Sequence, residues 1–156
     1  MTAALGKSIV AAVRETITAI DAGPITAEGG MTEAGAGTFD ADTCVVISVV
    51  GEVDGAFALR CSQTLAAQLA GSMLGIDVEP GSDDMKDAIG ELFNMIVGTM
   101  KRYLSTDSDP FTMSVPTTIV GQDYSVYINA QEHTDSLRVP LSCKGHSLAI
   151  EAYLNG

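Results

Sequence analysis

The sequence predicts an α+β fold, with helices packed on a mainly antiparallel β-sheet. Three observations predict it. A helical apolar period runs through residues 2–20 and again through 83–104. Two β-branched runs lie between those helices and are joined by a short turn. After Asp107-Ser-Asp109-Pro110 the chain holds strand-like segments with no helix between them, a grouping that favours antiparallel pairing over βαβ crossovers. At 156 residues the length suits one domain, residues 1–156, with enough apolar residues for an ordinary core.

The first helix, from about Thr2 to Ile20, places Leu5, Ile9, Val13, Ile17 and Ile20 at spacings of three and four. Asp21-Ala-Gly-Pro24 ends it. The Gly- and Thr-rich segment Gly29–Gly37 has little to bury and reads as loop or irregular edge strand. Asp42–Val50 and Ala56–Cys61 read as strands, and the Asp54-Gly55 dipeptide between them suggests a tight hairpin. Ser62 suits an N-cap for a short helix whose apolar face is Leu65, Leu69, Met73 and Leu74, and Gly75 suits its C-terminal stop.

Glu79-Pro80-Gly81 then leads to Ser82, a cap for the longest helical pattern, from about Asp83 to about Leu104. Asp83 and Asp84 complement the start of its dipole, and Lys101 and Arg102 its end. The final strand candidates are Thr112–Val120, Ser125–Ala130, Leu137–Cys143 and Ser147–Leu154, the last two joined by a Lys144-Gly145 turn.

A formal net charge of −12 argues against nucleic acid or an anionic membrane as the main partner. No apolar run is long enough to span a bilayer, and Lys7, Arg14 and Glu15 break the N-terminal stretch at helical spacing, unlike an export signal. The expected compartment is the cytoplasm. Cys44, Cys61 and Cys143 lack CxxC spacing and sit in apolar runs, as reduced buried thiols do. Gly6-Lys7-Ser8 lacks the upstream glycine and preceding strand of a phosphate loop. His133 and His146 have no partner at metal-ligand spacing, so no metal site is expected on this chain.

The long helix carries the remaining chemistry. At about 100° per residue, Ile89, Leu92, Phe93, Ile96, Met100, Tyr103 and Leu104 gather on one apolar face. Asp87, Glu91, Asn94 and Gly98 form a stripe on the other. Asn and Gly cost roughly 0.7 and 1 kcal/mol of helix propensity relative to Ala, so something besides solubility favours them there. Taken alone, a carboxylate and a carboxamide one turn apart on a solvent face are common, and what surrounds them decides their reading.

Ser72-Met-Leu-Gly75, Asp87-Ala-Ile-Gly-Glu91-Leu-Phe-Asn94-Met-Ile-Val-Gly98 and Ser114-Val-Pro116-Thr-Thr-Ile-Val-Gly121 together resemble the CheX-type chemotaxis phosphatases. The wider CheC/CheX/FliY family carries Asp/Ser-x-x-x-Glu-x-x-Asn and, after a further 21 residues, a Pro; Asp87, Glu91, Asn94 and Pro116 match. A single copy of the motif points to the CheX branch. The resemblance implies a phosphatase of an aspartyl-phosphorylated CheY-type response regulator, with Glu91 pairing the regulator's active-site lysine and Asn94 orienting the attacking water. Asp87 and Gly98 would border the partner. It also implies a homodimer with exchanged C-terminal strands. No cofactor is implied on this chain, and Mg²⁺ is expected in the partner receiver domain. The alternative is a non-catalytic adaptor that binds a response regulator or a flagellar motor component through the same helix face. A weaker third reading, a dimerisation domain whose helix face is only solvated, predicts no binding to any receiver domain.

Overall fold

The computed structural model describes residues 2–28, 41–104, 110–121 and 134–155. Its elements in chain order are α1 (Thr2–Ala19), β1 (Ile25–Ala27), β2 (Thr43–Gly51), β3 (Asp54–Cys61), α2 (Gln63–Leu74), α3 (Asp83–Leu104), β4 (Phe111–Met113), β5 (Thr117–Val120), β6 (Thr134–Cys143) and β7 (His146–Asn155). The Gly29–Gly37 segment, the Ser125–Ala130 strand and His133 lie outside the described residues.

The seven strands form one sheet in the order β1-β6-β7-β3-β2, with β4 and β5 side by side along the outer edge of β2, and every pairing is antiparallel. Period-two alternation turns Val45, Ile47 and Val49 of β2 and Phe57 and Leu59 of β3 into the core, where they meet apolar residues of all three helices. From α1 come Ile9, Val13 and Ile17, from α2 Leu65 and Leu69, and from α3 Ile89, Leu92, Phe93, Ile96 and Met100. The expected α+β architecture is the observed one.

The local signals for the helices hold. The Leu65 amide donates to Ser62 Oγ at 3.1 Å, and Gly75 closes α2 in the left-handed conformation at φ 70°. The Met85 amide donates to Ser82 Oγ at 3.2 Å at the head of α3. Cys44, Cys61 and Cys143 are free and buried.

Five details differ from the sequence reading. Asp54-Gly55 does not form the tip of the β2–β3 hairpin, because both residues already belong to β3. Asp54 instead closes the turn by accepting from the Gly51 amide at 2.8 Å, and Gly55 is small because a Cβ there would meet the Tyr153 carbonyl oxygen at 1.9 Å. The single strand expected over Thr112–Val120 is two, broken at Ser114–Pro116. Proline lacks an N–H for the ladder, and Ser114 turns back on β2. β1 is unexpected: just after the helix end at Asp21–Pro24, Ile25–Ala27 pairs with Leu141–Cys143. Leu74 is 48% exposed rather than part of the apolar face of α2. Tyr103 is exposed as well, with its hydroxyl 3.4 Å from Glu15 Oε1 on α1.

Candidate functional site

The expected site is a surface of α3, so its geometry follows from how that helix is held. Asp83 and Asp84 occupy its first turn, Lys101 and Arg102 its last, each suited to the dipole there. Its buried side is fixed by α1, α2 and the sheet. On the outward side Asp87 and Glu91 are exposed, and Asn94 and Gly98 are half-buried one and two turns further on. The structure therefore brings all four residues of the stripe onto one helix face.

Neither Glu91 nor Asn94 makes a side-chain hydrogen bond or ion pair among the described residues. The same is true of Asp84 and Asp87, whereas Asp83 lies 3.5 Å from Lys86 Nζ. At Gly98 an added Cβ would meet nothing within 4 Å. No contact within the described chain accounts for that glycine.

The two flanks of the stripe are built differently. On one side the Ser114–Pro116 turn lies against α3 at Gly90. A Cβ on Gly90 would stand 3.2 Å from Thr118 Oγ1 and 3.5 Å from Pro116 Cγ. The Thr118 hydroxyl also donates to the Lys86 carbonyl, at 3.5 Å. Gly90 and Pro116 thus form one packing unit, which gives a physical reason for a proline at that distance from the helix motif. The unit is not legible in helical periodicity, because its second half lies on another element.

On the other side, the end of α2 and the stripe enclose a cleft of about 340 Å³ lined by Met73, Leu74, Asp84, Asp87, Ala88 and Glu91. A larger hollow of about 780 Å³, between α2 and the Lys144-Gly145 turn, contains none of the stripe residues. Gly6-Lys7-Ser8 lies within α1, where no phosphate loop can form. Among the described residues no group of three His, Cys, Asp or Glu could hold a metal ion, and no helix is long and apolar enough to cross a membrane.

The stripe lies on the outer surface of α3, with Asp87 and Glu91 also forming one wall of the small cleft beside α2. A carboxamide accepts and donates hydrogen bonds without titrating, and a carboxylate one turn before it can anchor a cation through a charge-assisted bond.

Solved structures share the fold. A CheC-like superfamily protein from Shewanella sp. PV-4 superposes with a TM-score of 0.85 at 20% identity, covering 100% of both chains. Chemotaxis protein CheX from Vibrio vulnificus gives 0.82 at 19% identity over 94% of this chain and 96% of its own. A CheX–CheY–BeF₃–Mg²⁺ complex from Borrelia burgdorferi gives 0.75 at 15% identity over 96% of this chain and 97% of the matched one. No curated protein matches the chain. The family model for chemotaxis phosphatase CheX matches residues 43–152, a span that includes the whole of α3 and the Pro116 turn packed on it. The chain belongs to the CheX chemotaxis phosphatase family.

Proposed function

We propose that this chain is a phosphatase for an aspartyl-phosphorylated CheY-type response regulator in chemotaxis signalling. The observation that carries the reading is the pairing of Glu91 and Asn94, one turn apart on one helix face and without side-chain partners among the described residues. A CheX protein of the same fold forms a complex with CheY, BeF₃ and Mg²⁺, which makes a receiver domain the partner to test.

An aspartyl phosphate is an acyl phosphate and already activated. The receiver domain supplies Mg²⁺ and a lysine to neutralise charge, so the missing part is a water held in line with the phosphorus. Asn94 enters the receiver's phosphorylation site, and its carboxamide positions that water without acting as a base. Glu91 pairs with the receiver's lysine and fixes the depth at which Asn94 enters. Both sit on a packed helix rather than a loop, which limits their positional error. Asp87 adds to the acidic field near Glu91, and the open flank at Gly98 admits a partner's backbone.

The proposal includes a cytoplasmic location and one functional domain over residues 1–156. It also includes the homodimer implied by the family, to be tested by sedimentation equilibrium. In this structure β6 and β7 pair within one chain, from Thr134 opposite Asn155 to Cys143 opposite His146. The adaptor reading gives Asn94 no task, and the free carboxamide favours catalysis over it.

The test is the decay of a phosphorylated CheY-type receiver domain in Mg²⁺, with and without the protein and with Asn94→Ala. Faster decay that Asn94→Ala loses is the expected result. Unchanged decay with retained binding would establish the adaptor instead.

A further inference from the structure

We propose that Val115 and Leu74 are specificity-determining contacts for the partner, gripping apolar surface on either side of its phosphorylation pocket. This inference rests on the phosphatase reading of α3 and assigns what that reading leaves open, the residues that select one receiver domain over another.

Single exposed apolar side chains are common on protein surfaces and carry no message. The placement here is different. The exposed large apolar side chains of the described residues are Val50, Leu74, Ile76, Tyr103 and Val115. Two of these five, Leu74 and Val115, border one feature, the Glu91–Asn94 stripe, one on each flank. Val115 is the most exposed of all, at 82%, and adjoins Pro116, which packs on Gly90 one turn before Asn94. Leu74 lines the cleft on the opposite flank together with Asp87 and Glu91, and Ile76 follows just beyond the Gly75 cap.

The Val115 turn is also held rigid. The Ser114 amide donates to the Ser48 carbonyl at 2.9 Å, and the Ser48 amide donates to Ser114 Oγ at 2.9 Å. Pro116 fixes its own φ and restricts Val115 before it. A valine with few rotamers on a pinned turn loses little entropy when a partner covers it. Leu74 is similarly fixed, in the last turn of a helix stopped by a left-handed glycine.

Charge selects the occupant. Between the two apolar edges lie Asp84, Asp87 and Glu91, carboxylates without a cation partner among the described residues. The surface that fits is therefore basic at its centre and apolar at its margins. On the phosphatase reading, the receiver's active-site lysine is the cation for that centre, and apolar surface beside its pocket would meet Val115 and Leu74. Because Val115 and Leu74 stand beside the reacting groups rather than among them, they contribute to association and not to the hydrolytic step.

The experiment measures kcat and KM for dephosphorylation of a CheY-type receiver domain, phosphorylated by acetyl phosphate in Mg²⁺. The proteins compared are wild type, Val115→Asp, Leu74→Asp, Val115→Ile and Asn94→Ala. Each Asp variant should raise KM by about tenfold or more, the size expected for losing one buried aliphatic contact. Its kcat should stay within about twofold of wild type. Val115→Ile should restore the wild-type KM; the thermal melt should be unchanged for Val115→Asp at its exposed turn and lowered modestly for Leu74→Asp, which puts a carboxylate in the last turn of α2. Wild-type KM in both Asp variants would overturn the inference while leaving the phosphatase reading intact. Failure of the wild-type protein to accelerate decay, or to bind a BeF₃-loaded receiver, would overturn both.

Discussion

Two glutamates of this chain meet opposite fates. Glu151 on β7 is fully buried, on the sheet face turned away from the core cluster. One of its oxygens accepts from Arg60 Nε on β3. The other accepts from Arg138 of β6 through Nη2 at 2.8 Å and Nε at 3.0 Å. Register explains the convergence, because Arg138 stands directly opposite Glu151 and Arg60 lies on the neighbouring strand, diagonal to it. Glu91 on α3 is exposed and has no ionic or hydrogen-bonded partner among the described residues. The first carboxylate is consumed by the fold, whereas the second is left open to solvent on the proposed docking face.

Breaking the buried cluster should have the largest effect on the molecule. Glu151→Ala removes the carboxylate that two guanidiniums, 17% and 11% exposed, share. Removing one member of such a group typically costs about 3–5 kcal/mol, which denaturant titration would register as a lower midpoint at constant m. Replacing all three by apolar residues of matched volume should recover much of that loss. If Glu151→Ala were neutral, the buried cluster would not be structural and the contrast with Glu91 would fail.

The outward pair should behave in reverse. Asn94→Ala should raise the denaturation midpoint slightly, by the roughly 0.7 kcal/mol of helix propensity that Ala gains over Asn, and lower stimulated dephosphorylation on the order of 10²-fold, the scale of a lost reactant alignment. Glu91→Ala should cost about tenfold to a hundredfold in kcat/KM, as expected for one charge-assisted bond to a partner. An Asn94→Ala protein that lost stability in step with activity would make the helix face structural.

Alkaline pH sharpens the same distinction from the buried side. Burial pushes the Cys61 thiol up to about 12 and the Cys44 thiol to about 11, against an ordinary value of 9.0. Burial, and then the charge of Glu151, push the Tyr153 phenol up to about 12. Each group keeps its proton in the folded chain at a pH where the unfolded chain has released it. Stability present at neutral pH should therefore fall as pH rises from about 9 toward 12. Denaturation midpoints at pH 7, 9 and 10.5 would show the slope, and Cys61→Ala should make it shallower.

The sequence discloses the two kinds of region unequally. The α3 stripe was legible because helical periodicity converts spacing into a face, and because Asn and Gly are poor choices for a face that needs only water. The caps at Ser62, Ser82 and Gly75 were legible because they act within one turn. The Arg60–Glu151–Arg138 cluster was not legible, since it depends on the register of three strands. The grip of Pro116 on Gly90 was hidden for a related reason, as it joins a helix to a turn more than twenty residues later. Tyr103 and Leu74 fitted the apolar period but lie at helix ends, where the neighbouring elements no longer cover the face.

The smallest predicted effect separates two glycines of the same helix. An alanine at Gly90 would crowd the Thr118 hydroxyl at 3.2 Å, so its gain in helix propensity is offset by displacement of the turn. An alanine at Gly98 meets nothing within 4 Å and should stabilise the free chain by about 1 kcal/mol, the ordinary difference between the two residues in a helix. The chain keeps the less stable choice, which is explained if a partner's backbone must come close one turn beyond Asn94. Gly98→Ala should thus raise the melting temperature and raise KM for the phosphorylated receiver together. A stabilised variant with unchanged KM would place the edge of the contact surface at Asn94 and leave the glycine without a role in binding.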